Sequence, residues 1–128
     1  ILDQAGGIGY LSRHLRLFIL PTATQQQKKY NIPSIQQVYE ICFCIWSMTF
    51  NLTENVSIQQ SFVRGGAIHA LCQLLSLAPR EKIVRLALAT LHNLAAFESN
   101  QQQVYLGEMI AANAQKYVEQ LQERTTWS

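Results

Sequence analysis

Apolar residues recur every third or fourth position in several stretches of the chain, and polar or turn-forming residues separate them. This is the periodicity of helices with one buried face. Ile83, Leu86, Ala87, Thr90, Leu91 and Leu94 form one stripe and predict a helix over 81–96, just past the interruption at Pro79. A shorter helix is expected over 58–64, capped by Asn55 or Ser57 and ended by Gly65 and Gly66, with another over 67–77 directly behind it. A helix over 35–51 carries Ile41, Phe43 and Trp46. The last apolar stretch runs from Gln101 to Glu123 behind a cap at Asn100, with a break expected near Gly107 or Asn113.

The pattern repeats. Residues 83–94 align with 38–49 at an offset of 45, pairing Ile41 with Leu86, Phe43 with Leu88 and Trp46 with Leu91. Residues 67–75 align with 7–15 at an offset of 60, pairing Ile8 with Ile68, Leu11 with Leu71 and Leu15 with Leu75. The longer offset is explained by an inserted loop at 19–34, which holds two prolines, three consecutive glutamines and a lysine pair. A third match, at an offset of 43, sets Gln60 and Phe62 against Gln103 and Tyr105. Offsets near 45 fall in the period of about 40 to 47 residues of armadillo and HEAT repeats. The fold class that follows is all-α, an armadillo/HEAT-like right-handed helical solenoid, with Gly6-Gly7 expected to turn the same corner in the first unit as Gly65-Gly66 in the second.

Length and composition narrow the function. At 128 residues, 48% hydrophobic and 14% charged, the chain makes one domain with enough core to fold without disulfides or metal. The absence of an initiator methionine at Ile1 suggests a piece of a longer protein. The odd set Cys42, Cys44 and Cys72 favours a reducing compartment, which also argues against use of the glycosylation pattern Asn51-Leu52-Thr53. A net charge of +2 is too small for a general grip on nucleic acid. No apolar run reaches the roughly 20 residues of a membrane span, and no export signal is visible.

Catalytic chemistry is not written in the chain, and no cofactor is expected. Gly6, Gly7 and Gly9 have Ser12 where a dinucleotide-binding fingerprint needs its last glycine, no strand precedes them, and no phosphate-binding Gly-Lys-Ser/Thr run exists. His14, His69 and His92 fall on three different helices without a cysteine or carboxylate at ligand spacing, so they read as structural. Cys42 and Cys44 are two apart on a helix and do not face each other. Asp3 is the only aspartate. The remaining candidate is a cluster of cations, Arg13 and Arg16 on the first helix with Lys28 and Lys29 in the loop, which would meet an acidic partner or else form an ordinary solvated face.

The run Tyr39, Phe43, Ile45, Trp46 and Phe50, followed by a capped turn, a short helix and the basic-framed helix Arg80 to Leu94, resembles the H-subunit family of the vacuolar-type proton-translocating ATPase (V-ATPase) near the end of its N-terminal domain. Met109-Ile110, an amphipathic stretch to Leu121 and a polar run follow in the order of that family. The resemblance implies a non-catalytic regulatory subunit of the cytosolic, ATP-hydrolysing V1 sector, peripheral on the cytosolic face of vacuolar or other acidic-organelle membranes. It implies binding to the E and G subunits of the peripheral stalk, to the stator a-subunit of the membrane sector and to other V1 subunits. The implied activity is coupling of ATP hydrolysis to proton transport and silencing of free V1.

The segment SIQQSFVRGGAI is closer to a general armadillo corner, which leaves an armadillo adaptor or scaffold with other protein partners as the alternative. Import adaptors of that kind place tryptophan and asparagine one turn apart on the third helix of each repeat. Here Asn93 has Ala89 in the tryptophan place, and the first unit has Cys44 and Met48. Trp46 aligns with Leu91 and reads as a packing residue.

Overall fold

The structure is a computed structural model and describes residues 4–19, 33–53, 55–77, 80–97 and 102–123. Among these there are seven α-helices and no strand. They are α1 (Gln4–Ile19), α2 (Ile35–Met48, continued by a 3-10 turn over Thr49–Asn51), α3 (Val56–Arg64), α4 (Ala67–Leu77), α5 (Glu81–Ala96), α6 (Gln102–Ala111) and α7 (Ala114–Gln122). The expected loop at 19–34 lies mostly outside the described residues, as do Pro79, the cap at Asn100 and the last five residues.

Local chemistry sets the helix ends. Ser34 and Gln37 form a reciprocal capping box on α2: the Gln37 amide donates to Ser34 Oγ at 3.2 Å and the Ser34 amide donates to Gln37 Oε1 at 2.8 Å. Asn55, rather than Ser57, caps α3, its Oδ1 accepting from the Ile58 amide at 3.1 Å. Gly66, at φ 73°, makes the left-handed corner between α3 and α4. The last predicted helix is two: Asn113, at φ 60°, breaks the run between α6 and α7, while Gly107 stays helical. Asparagine enters the left-handed region more readily than other side chains, so the break falls there.

One expectation fails. Gly6 and Gly7 turn no corner and lie inside α1. The glycine that matters in this helix is Gly9, which crosses the α3–α4 corner so closely that a Cβ on Gly65 would sit 3.1 Å from both its Cα and its N. A glycine pair does not by itself fix a bend.

Packing follows the repeat. Helices equivalent in sequence are neighbours in space: α1 lies on α4, α2 on α5, α3 on α6, and α4 again on α7. The paired positions are buried together, as with Ile8 and Ile68, Leu15 and Leu75, Val38 and Ile83, Cys42 and Ala87, and Phe62 and Tyr105. This layer-on-layer contact is what defines a helical-repeat stack. Ser12, Ser61 and Thr90 are buried within it, each hydroxyl donating to the carbonyl four residues earlier in its own helix.

Tyr105 carries α6 onto α3. Its ring is fully buried in the place that Phe62 holds one unit earlier, and its hydroxyl donates to the Gln59 carbonyl at 2.7 Å. Burial pushes the phenol up to about 12.

Candidate docking surface

Helix α2 has two apolar faces. Val38, Ile41, Cys42, Ile45 and the following Thr49 point into the core. Tyr39, Phe43, Trp46 and Phe50 sit at i, i+4, i+7 and i+11 and make a second row beside it, in which Phe43 and Phe50 are exposed, Trp46 is half-buried and Tyr39 packs partly against the core. Phe43 is 45% exposed and Phe50 64%. The rings interlock along the row: Tyr39 and Phe43 centroids are 6.4 Å apart, Phe43 and Trp46 5.4 Å, and Trp46 meets Phe50 edge-on at 5.0 Å.

Helix α5 borders this row. Lys82 holds its Nζ 4.5 Å from the Tyr39 ring centroid, a cation–π geometry, and no carboxylate among the described residues is paired with it. Glu81 pairs instead with Arg85, one turn along α5. Toward Phe50 the row opens into a cleft of about 290 Å³ lined by Thr49, Phe50, Leu52, Asn93 and Phe97 among others. Asn93 Nδ2 donates to Thr49 Oγ1 at 2.9 Å, and Thr49 Oγ1 donates to the Trp46 carbonyl at 2.6 Å, so the asparagine ties α5 to the end of α2.

The cationic cluster is placed elsewhere. Arg13 and Arg16 lie on α1 beside the α3–α4 corner, Arg13 near Gly9 and Arg16 over Gly66, whose carbonyl accepts from Arg16 Nη2 at 3.5 Å. Arg13 is exposed, whereas Arg16 is partly buried in this contact. Lys28 and Lys29 lie outside the described residues. Trp46 does pack, yet not in the core position that its alignment with Leu91 gives it: it is the half-buried middle of the aromatic row. The spacing of the four aromatic residues is the sequence signal for this surface. It is masked because the same helix carries a complete core stripe.

Titratable groups are dispersed. His14 stacks on Tyr10 at 4.5 Å, His69 Nε2 lies 3.4 Å from Glu108 Oε2 across α4 and α6, and His92 is exposed on α5. No group of three or more potential metal ligands exists among the described residues. Burial raises the Cys42 thiol to about 12 and the Cys72 thiol to about 11, while Cys44 is exposed. No described helix is long and apolar enough to cross a membrane.

Comparison with known proteins places the chain in a family. The V-type proton ATPase H subunit of Dictyostelium discoideum is 39% identical over 61 residues, which are 48% of this chain and 13% of that protein. The chain therefore corresponds to a limited part of its relative. No solved structure shows a significant match. The family model for the V-ATPase H subunit matches residues 2–127, nearly the whole length and all seven described helices. By that match the chain belongs to the V-ATPase H-subunit family.

Proposed function

We propose that this chain is part of a non-catalytic regulatory subunit of the V-ATPase V1 sector, which couples ATP hydrolysis to proton transport and silences hydrolysis by free V1. The observation that carries the reading is the family match over residues 2–127. The stacked helices support it physically, because such a scaffold offers rigid, extended surfaces on which several partners can seat at once. The proposed partners are the E and G subunits of the peripheral stalk, the stator a-subunit of the membrane sector and other V1 subunits. The protein then sits peripherally on the cytosolic face of acidic organelles.

In this reading residues 1–128 form one repeat domain of a longer protein, with an inserted loop over 19–34 and the start of a linker near 122–128. Arg13, with Lys28 and Lys29 from the loop, meets an acidic partner surface. Arg16 contributes less to such a contact, since its guanidinium is engaged at the Gly66 corner.

The test is co-purification with the full-length protein at moderate salt, followed by addition of the purified protein to free V1. Recovery of V1 and stalk subunits, and a fall in ATP hydrolysis on addition, are the expected results. Recovery of unrelated proteins with no pump subunit would overturn the reading.

A further inference from the structure

A surface helix ordinarily needs one apolar stripe, and α2 completes its own against α1 and α5. Within the aromatic row, the exposed rings of Phe43 and Phe50 are thus apolar surface beyond what the fold uses. From Tyr39 to Phe50 the row runs about 16 Å, three helical turns. Its rings already hold one another in place, so little side-chain freedom remains to be lost when something covers them.

The polar surroundings decide what covers it. Recognition of an extended peptide in such a groove relies on side-chain amides that grip the peptide main chain, and here the Asn93 amide donates to Thr49. Ala89, one turn before Asn93, offers no ring. What remains is a row of rings with a cation at one end. The Lys82 ammonium is oriented by Tyr39 and lacks a carboxylate among the described residues, Arg80 is exposed two positions earlier, and Glu81 is engaged by Arg85. A chain segment that buries rings along three turns and brings a negative charge to one end is an amphipathic helix with an acidic flank.

We infer that the row Tyr39, Phe43, Trp46 and Phe50 is the seat of an amphipathic helix from another V-ATPase component, with a carboxylate of that helix against Lys82. The inference rests on the proposed function for the source of the helix. The anchors are Phe43 and Phe50, whose exposed rings lose most water on docking, and the carboxylate fixes the direction in which the helix lies.

The test uses full-length protein and pump complexes from which this component has been removed. Wild-type protein should rebind, with affinity that falls as salt rises. The Phe43→Glu/Phe50→Glu variant should bind at least about tenfold more weakly. Lys82→Glu should bind more weakly and lose part of the salt dependence, and Lys82→Arg should retain both. Hydroxyl-radical footprinting of the full-length protein, read by mass spectrometry, should show labelling of Phe43 and Phe50 fall on docking. This readout needs no change to the docking surface. Rebinding without loss of labelling at Phe43 and Phe50, or rebinding by the double variant as tight as wild type, overturns the inference and leaves the proposed function standing. An unaltered Lys82→Glu overturns the acidic helix. Failure of wild-type protein to rebind overturns the proposed function and this inference together.

Discussion

Gly65 is the point at which the end of α3 meets the backbone of α1. A Cβ there would lie 2.8 Å from the Ser61 carbonyl oxygen and 3.1 Å from the backbone of Gly9 on α1, and no flexible side chain is present to yield. Gly65→Ala is therefore expected to push α1 off the corner and destabilise the domain by about 1–3 kcal/mol, the range for overpacking against rigid atoms. Gly66→Ala is expected to be destabilising by a different route: a positive φ disfavours alanine by about 1–2 kcal/mol, and the new Cβ would displace the Arg16 guanidinium. Urea denaturation of both variants checks the pair, and a further Arg16→Ala change should relieve Gly66→Ala but not Gly65→Ala. The Gly65-Gly66 corner is legible in the sequence, because a glycine pair between two apolar runs has few other uses. Gly6-Gly7 shows the limit of that rule. Whether a glycine bends a chain or lets another helix approach is decided by what lies across from it, and that partner is about 50 residues distant.

At the scale of elements, the repeat offsets carry most of the architecture. Once Ile8 is set against Ile68 and Phe62 against Tyr105, their common burial and the neighbouring of α1 with α4 and α3 with α6 follow from the need to cover equivalent faces. The bounds of α4 and α5 coincide with the sequence expectation because a glycine corner and an apolar stripe mark them. The aromatic row on α2 was not legible as a site, since a stripe of core residues and a stripe of docking residues look alike until the neighbouring helices are in place. The link between the same two helices was hidden for a related reason: Thr49 and Asn93 are 44 positions apart and neither is distinctive alone. A double-mutant cycle of Thr49→Val and Asn93→Ala should give a coupling of about 0.5–1.5 kcal/mol, the net value of one hydrogen bond. Coupling indistinguishable from zero would show that α2 and α5 are held by apolar contact alone.

For the whole molecule, three buried acids act in one direction. Cys42, Cys72 and Tyr105 are raised by burial from 9.0, 9.0 and 10.0 to about 12, about 11 and about 12. The unfolded chain releases these protons first, so folding stability is full below about pH 9 and falls as pH rises toward the folded values. Each group then removes up to about 1.4 kcal/mol per pH unit within its own window. Denaturant midpoints should hold steady to pH 8 and drop steeply by pH 10, while alkylation of the native protein at pH 8 modifies Cys44 and spares Cys42 and Cys72. One further property follows from the place of α4, which has apolar residues buried along its length and touches α1, α3, α5, α6 and α7. Five of the other six described helices thus lean on one apolar helix. A load placed on α7 therefore has a packed route through α4 to α1, with no loop in between.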